Sequence, residues 1–466
     1  MEKIIFVLTK QGCLIDKKSL TETELFKIKT DLKVQPIIHG NFGTTFNNSF
    51  KIYKENKDKL VVPTFYAKKN FNNTFKIKYN SGTNIKFKSN IFLRDYQKPA
   101  VDTIIDKLKK ESGTILSVPC AFGKTIVAIH MIHLLKKKTL VVVHNDYLLT
   151  QWKDRIESTT NAKIGYIKQN KIETDDCDIV IAMLQSISMR DYSNDIFNEF
   201  GFVIFDECHH LGAKCFSQAL FKLNSTYMLG LSATPDRKDG LTKVFKYFLG
   251  EIGYCVKQEY TFNVDINIHT IYFDNEYYKD VFSKIGNINT PGMINNLVLC
   301  EERNNYIINL VDEVMKEPRN LLILTDRRDQ VLKLYENLNE KYSVGYVIGQ
   351  MKEDHRNESL TKNIIIGTYQ MVSEGFDVDR LDTLIFATPK VSIEQAVGRI
   401  LRKQQYTYNP LVIDIVDKLN VFKNQGYARK RFYNKNNYNI KYFSNEENDK
   451  KIKKTTIDKY SYNFQL

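Results

Sequence analysis

The feature that most narrows the fold is an apolar run, Thr114-Ile115-Leu116-Ser117-Val118, leading into Pro119-Cys120-Ala121-Phe122-Gly123-Lys124-Thr125 and then a helix-compatible stretch to about Leu135. A buried strand, a tight loop and a helix in that order form half of a parallel-sheet unit, which needs neighbours of the same kind to be stable. The loop also carries chemistry. Backbone N–H groups at a helix N-terminus cradle an anion, a lysine there reaches β and γ phosphates, and a threonine hydroxyl can hold Mg2+. Lys124 and Thr125 are the candidates for the last two roles, with Cys120, Ala121, Phe122, Gly123 and Ile126 completing the nucleotide-binding segment. Val118 and Ala121 stand where glycine is frequent in such loops; Gly123-Lys124-Thr125 is the minimum kept.

Asp206 lies 82 positions after Lys124, within Asp206-Glu207-Cys208-His209, and follows the apolar strand Phe202-Val203-Ile204-Phe205. Two carboxylates at the C-terminal end of a strand would face the phosphates across the loop. Asp206 is expected to bind Mg2+ directly or through water, and Glu207 to orient and deprotonate an attacking water. Surface acids at a strand end are the bland alternative.

Strand-like and helix-like segments alternate from about 91 to 255. Thr139 to Val143, Asp178 to Ala182, Phe202 to Phe205 and Tyr227 to Leu231 are the further strands. The pattern restarts with Leu321 to Leu324, Ser343 to Ile348, Asn363 to Ile366, Thr383 to Phe386 and Leu411 to Ile415, without a second phosphate loop. Residues 256–320 read as a connection with a helix near Glu302 to Lys316. Residues 1–90 read as a separate β-rich module. In it, Phe50-Lys51-Ile52-Tyr53 and Leu60-Val61-Val62-Pro63 form a hairpin around Lys54 to Lys59. Tyr66, Phe71, Phe75 and Phe87 alternate with lysines there and suit either base stacking or the buried face of strands.

The net charge of +14 is unevenly spread. Residues 1–90 carry +10 and residues 418–466 carry +8, which leaves −4 for 91–417. Basic flanks around a near-neutral centre suggest that the flanks help hold a polyanion, most simply nucleic acid. The tail after 418 is rich in Asn, Lys and Tyr and is expected to be partly disordered. No apolar stretch approaches the roughly 20 residues that cross a bilayer, and the apolar start is too short for a secretory signal. Seven cysteines without a Cys-x-x-Cys pair argue against a disulfide framework or structural zinc and fit a reducing, intracellular compartment.

Taken in order, these motifs resemble the superfamily 2 helicases of the Asp-Glu-x-His type over roughly 91–417. Leu93-Arg94-Asp95-Tyr96-Gln97 looks like the motif in which Gln97 would read adenine, and His144 to Trp152 like one that contacts the nucleic-acid backbone. Ser232-Ala233-Thr234, with His209, looks like the motif coupling nucleotide to nucleic acid; Gly367-Thr368 with Glu374-Gly375-Phe376-Asp377 resembles the one touching both, so Gly375 and Asp377 join the coupling set. Gln395 to Arg402 matches the arginine-finger motif: Gln395, Arg399 and Arg402 would be catalytic, the two arginines sharing a helix face and stabilising phosphoryl charge across an interdomain cleft.

The resemblance implies an α/β chain of two tandem RecA-like parallel-sheet domains, 91–255 and 256–417, after the β-rich accessory module 1–90 and before a basic tail 418–466. It implies ATP and Mg2+ as cofactors and nucleic acid as partner. Val118-Pro119-Cys120 and Gln151-Trp152 are similar to the XPB branch, which favours duplex DNA and transcription machinery; Arg237-Lys238-Asp239 stands where that branch carries Arg-Glu-Asp, a DNA-opening element, and departs from it at Lys238. Ser232 through Gly240 and Ala387 to Arg402 look closer to helicases of large cytoplasmic DNA viruses, including the poxvirus transcript-release type, which would place the chain in a virus factory or virion rather than a nucleus. The expectation is an ATP-dependent DNA helicase or translocase of transcription or repair. An RNA helicase and a weakly active nucleic-acid-binding subunit of a transcription complex remain the alternatives, while a restriction motor lacks a visible nuclease or methylase module.

Overall fold

The computed structural model describes residues 5–37, 48–72, 74–119, 122–233, 237, 239–256, 262–349, 351–373, 376, 378–403 and 405–446. They form two compact units, Met1–Gln258 and Glu259–Leu466. Among the described residues, no helix is long and apolar enough to cross a membrane.

The first unit begins with strands β1 (Ile5–Thr9), β2 (Gly12–Asp16), β3 (Lys54–Glu55), β4 (Lys59–Val62) and β5 (Thr74–Ile77), which form one sheet in the order β3-β4-β2-β1-β5. The expected hairpin is present but tighter. Lys54 pairs with Val61 and Glu55 with Leu60, because the Asn56 side chain accepts from the N–H groups of Asp58 and Lys59 and closes the turn early. Phe50-Lys51 pairs instead with Lys33-Val34.

The main sheet of this unit contains β6 (Gly113–Ser117), β7 (Thr139–Val143), β8 (Ile164–Lys168), β9 (Lys171–Glu173), β10 (Ile179–Met183), β11 (Phe202–Phe205), β12 (Tyr227–Ser232) and β13 (Ile252–Cys255), in the order β9-β8-β10-β7-β11-β12-β6-β13. Every pairing except β8 with β9 is parallel. Strands β6, β7, β10 and β11 are buried along their whole length, as runs covered on both faces must be. One face (Ile115, Val142, Ala182, Val203) shares a single apolar core with Phe6, Ile15 and Leu60 of the N-terminal sheet. Residue 90 is therefore not a boundary of packing. Tyr66 lies edge-on to Tyr247 at 5.2 Å, and Asn224 is tied to the carbonyls of Thr9 and Lys10.

The second unit is built on β14 (Asp265–Ile271), β15 (Leu321–Thr325), β16 (Val344–Val347), β17 (Ile364–Thr368), β18 (Thr383–Phe386), β19 (Leu411–Asp417) and β20 (Asn439–Ser444). They run in the order β16-β17-β15-β18-β19-β14-β20, with every pairing parallel. Two elements depart from expectation. The segment read as a connection supplies β14, registered residue for residue on β19. The segment read as tail supplies a helix, Asn420–Lys435, and the edge strand β20. Of that tail, 447–466 lies outside the described residues.

The helices used below are α1 (Lys98–Glu111), α2 (Lys124–Leu135), α3 (Asp146–Thr159), α4 (Glu301–Val314), α5 (Arg328–Leu338) and α6 (Asn420–Lys435).

Candidate active site

Sheet register aligns the motifs of the first unit. Ser232 is opposite Ser117 across β12 and β6, and Phe205 is opposite Gly230 across β11 and β12. The chain leaving β6 toward the phosphate loop, the Asp206-Glu207 pair and Ser232-Ala233 therefore emerge along one edge of the sheet.

The loop enters α2 through Gly123, whose φ of +87° lies in the left-handed region. A Cβ at that position would stand 2.6 Å from Gln97 Nε2, so both conformation and space call for glycine. Gln97 is almost fully buried. Its Nε2 donates to Phe122 O at 2.7 Å, and its Oε1 accepts from Arg94 N at 2.9 Å. The expected adenine reader is thus also a brace between its own motif and the phosphate loop. Cys120 and Ala121 lie outside the described residues; Lys124, Thr125 and Ile126 form the first turn of α2.

Asp206 continues the ladder of β11, donating its N–H to Val142 O at 3.0 Å. Glu207 then takes a left-handed conformation with φ +46° and turns the chain. Lys124 Nζ donates to Glu207 Oε1 at 2.9 Å, so the two motifs meet side chain to side chain. Asp206 is held by two donors: Glu207 N to Oδ1 at 2.9 Å, and Trp152 Nε1 to Oδ2 at 2.8 Å. His209 Nδ1 stands 3.4 Å from Glu207 Oε2 and 3.2 Å from the buried Ser232 Oγ, which joins the expected coupling residues to the carboxylate. Ala233 follows Ser232, while Thr234 lies outside the described residues.

The electrostatics follow from burial. Desolvation and the neighbouring Glu207 charge push the Asp206 carboxyl above the usual range. Burial also favours neutral Glu207, but the Lys124 ammonium outweighs it and holds that carboxyl at about 2. Burial lowers the His209 imidazole to about 4 and raises the Cys208 thiol, leaving both neutral near pH 7. Two adjacent carboxyls, one buried and one half-buried, thus share one ammonium, and among the described residues no group donates a hydrogen bond to Glu207 Oε2. That oxygen-rich, under-compensated pair suits a hard divalent cation, with Asp206 and the Thr125 hydroxyl as the oxygen donors.

The sequence missed the role of Trp152. The resemblance put it in a nucleic-acid motif, whereas its indole supports Asp206 from a fully buried position. Leu148, Trp152 and Ile156 at i, i+4 and i+8 of α3 gave the signal, since that spacing marks a core face. Also unexpected is the Arg237 guanidinium. It donates to the His209 carbonyl and pairs with Asp239, whose own carbonyl accepts from Ile37 N at 2.9 Å. The N-terminal module thereby reaches the turn after Glu207 through two residues; Lys238 lies outside the described residues.

In the second unit the helix around Gln395 is short, Glu394–Val397, and Arg399 and Arg402 lie beyond it rather than on one helix face. Beyond its end, Tyr406 OH donates to Ile400 O at 2.8 Å and accepts from Lys403 N at 2.9 Å. The two arginines still converge: each donates to Phe376 O at 2.7 Å, and Arg402 also faces Asp379 at 3.3 Å. Gly375 and Asp377, flanking Phe376, lie outside the described residues, as does Glu374. Elsewhere in this unit, Arg303 of α4 makes a two-point pair with Asp417, at 2.7 and 2.9 Å, and donates to Ala387 O at 2.7 Å, all fully buried.

Comparison with known proteins shows the family. The family described as type III restriction enzyme, res subunit, matches residues 90–237, and the helicase conserved C-terminal domain matches 302–404. A protein of Acanthamoeba polyphaga mimivirus, provisionally named an ATP-dependent RNA helicase, is 36% identical over 97% of this chain and 91% of its own length. This chain belongs to the superfamily 2 helicases. Membership makes it a nucleic-acid-dependent ATPase with two RecA-like domains. A provisionally named helicase of Invertebrate iridescent virus 6 is 29% identical over 80% of this chain and 87% of its own length. Among solved structures, the ATP-dependent type ISP restriction-modification enzyme LlaBIII bound to DNA matches with a TM-score of 0.56 at 17% identity, covering 77% of this chain and 32% of that one. This last likeness bears on the fold alone.

Proposed function

We propose that this helicase is of the Asp-Glu-x-His type, hydrolyses ATP with Mg2+ and uses it to move on DNA, in the transcription or repair of a large DNA virus. The observation that carries the hydrolytic part is the contact between Lys124 and Glu207 beside Asp206. Bound phosphate would compete with Glu207 for the Lys124 ammonium. Glu207, released from that pairing, is then a free carboxylate able to orient and deprotonate water. Asp206, fixed by Trp152, and Thr125 would hold the divalent cation, which supplies charge neutralisation at the phosphates. Arg399 and Arg402 would stabilise phosphoryl charge on leaving Phe376 O, and Gln395 would act beside them. Gln97 would transmit adenine contact to the phosphate loop.

The XPB-like sequence details favour duplex DNA. Arg237 and Asp239 are engaged with each other and with the turn after Glu207, so a DNA-opening role is not carried over to them. The mimivirus relative's name favours the second reading, an RNA helicase. Steady-state ATPase without polymer and with single-stranded DNA, duplex DNA or RNA tests both, with Lys124→Ala as blank. Strong stimulation by duplex DNA supports the first reading and preferential stimulation by RNA the second. A blank-level rate under all four conditions sinks both and leaves a binding subunit.

A further inference from the structure

The geometry points to a second nucleic-acid contact on the second unit: the outward face of α6 with the edge strand β20 binds single-stranded polynucleotide. This rests on the helicase reading and adds to it a surface made by residues of the second unit alone. Helix α6 carries Lys423, Arg429, Lys430, Arg431 and Lys435 and no acid, five cations in 16 residues.

The helix is mounted by its other face. Phe422, Gly426, Arg429 and Tyr433 are buried, and a Cβ at Gly426 would meet Val416 at 2.8 Å, so the helix lies close on β19. Arg429 Nη2 lies 2.7 Å from Asp414 Oδ1, and Tyr433 OH donates to Asp414 Oδ2 at 2.9 Å. Arg429 is thereby neutralised, and the remaining four cations belong to the surface.

Lys423, Tyr427, Lys430 and Arg431 recur at i, i+4, i+7 and i+8 and share one face. On β20, Tyr442 extends it, and Lys430 Nζ sits 4.9 Å over the Tyr442 ring; Lys441, one residue earlier on the strand, points to the opposite face of the sheet. Tyr427 is 65% exposed and Tyr442 49%. Among the described residues, none of Lys423, Lys430, Arg431 and Lys435 forms an ion pair, while nearby Lys418 is paired with Glu446 at 2.6 Å. Unpaired cations interleaved with exposed aromatic rings are the combination that neutralises phosphates and stacks bases, and stacking needs bases whose faces are open, hence a single strand.

The test is fluorescence-anisotropy binding of an oligothymidylate and of a blunt duplex to the full chain, across a salt series. Lys423→Glu/Lys430→Glu/Arg431→Glu is expected to weaken oligothymidylate binding at least ~10-fold and to flatten the salt slope by about 2. Tyr427→Ala/Tyr442→Ala is expected to lose ~5-fold or more on the single strand and little on the duplex. Photocrosslinking of bromodeoxyuridine-substituted oligonucleotide to the unmodified chain, needing no variant, is expected to label peptides holding Tyr427 or Tyr442. If the unmodified chain binds neither probe, the helicase reading and this surface fall together. If it binds and the variants match it, if the tyrosine pair weakens both probes equally, or if crosslinks fall only elsewhere, this surface is overturned while the helicase reading stands.

Discussion

Lys124 Nζ and Glu207 Oε1, 83 positions apart in sequence, lie 2.9 Å apart beside the main sheet of the first unit. The pair is partly buried, so removing one partner leaves the other charge poorly solvated. Lys124→Ala is expected to abolish ATPase and also to destabilise the first unit by about 1–3 kcal/mol. Adding Glu207→Gln should recover much of that stability without recovering activity. A double-mutant cycle in urea checks it; additive effects would mean the two groups are energetically independent.

Glu207→Gln alone keeps a side chain of the same size that can accept a hydrogen bond from Lys124 but cannot take a proton from water. Turnover should fall by more than about 100-fold, while nucleotide affinity, read by fluorescent-analogue binding, stays within a few-fold. Loss of binding instead would remove Glu207 from the role of water activator.

Trp152→Phe deletes the donor to Asp206 Oδ2 and also leaves a cavity at a fully buried core position, so its stability loss contains a packing part that the Mg2+ profile does not. An unsupported buried carboxyl costs about 1–3 kcal/mol. The expected signature is a higher Mg2+ requirement for ATPase, with kcat at saturating Mg2+ changed less than the half-saturating concentration. An unchanged Mg2+ profile would mean the indole serves packing alone.

Gly123→Ala puts a Cβ 2.6 Å from Gln97 Nε2 on a backbone with φ +87°. Nucleotide binding should weaken by at least ~10-fold, from strain of about 1–2 kcal/mol. Combining it with Gln97→Ala relieves the clash but not the backbone strain, so partial recovery of binding is the expected result in equilibrium titration.

Arg429→Ala removes the cationic partner of the fully buried Asp414 and should cost about 3–5 kcal/mol of second-unit stability. Thermal denaturation monitored by circular dichroism measures it. A loss under about 1 kcal/mol would mean that water reaches Asp414.

Motifs whose parts are adjacent in sequence were legible. Ser117 to Thr125 and Phe202 to Glu207 each carry strand, turn and polar group within ten residues, and the structure brings them together as their chemistry requires. What escaped reading depends on partners far away. Asp265–Ile271 is a strand because it registers with Leu411–Asp417, some 146 residues later. Helix α6 buries an arginine and a glycine in its inner stripe, residue types that read as surface until Asp414 and Val416 are seen opposite them. The helix at Gln395 ends at Val397, short of both arginines, whose convergence depends instead on Phe376 O, 23 and 26 residues earlier. Trp152 was assigned by motif when its helical spacing already pointed inward.

Trp152 is the single tryptophan among 466 residues. Its indole N–H donates to the carboxylate assigned to the metal, inside an otherwise apolar surround. The tryptophan emission of the whole chain, excited to the red of the absorption of its 27 tyrosines, is therefore a one-site optical signal. A cation drawing on Asp206 would alter the field at that ring, and the catalytic centre would report its own occupancy in the ultraviolet, without a dye, a label or a substitution.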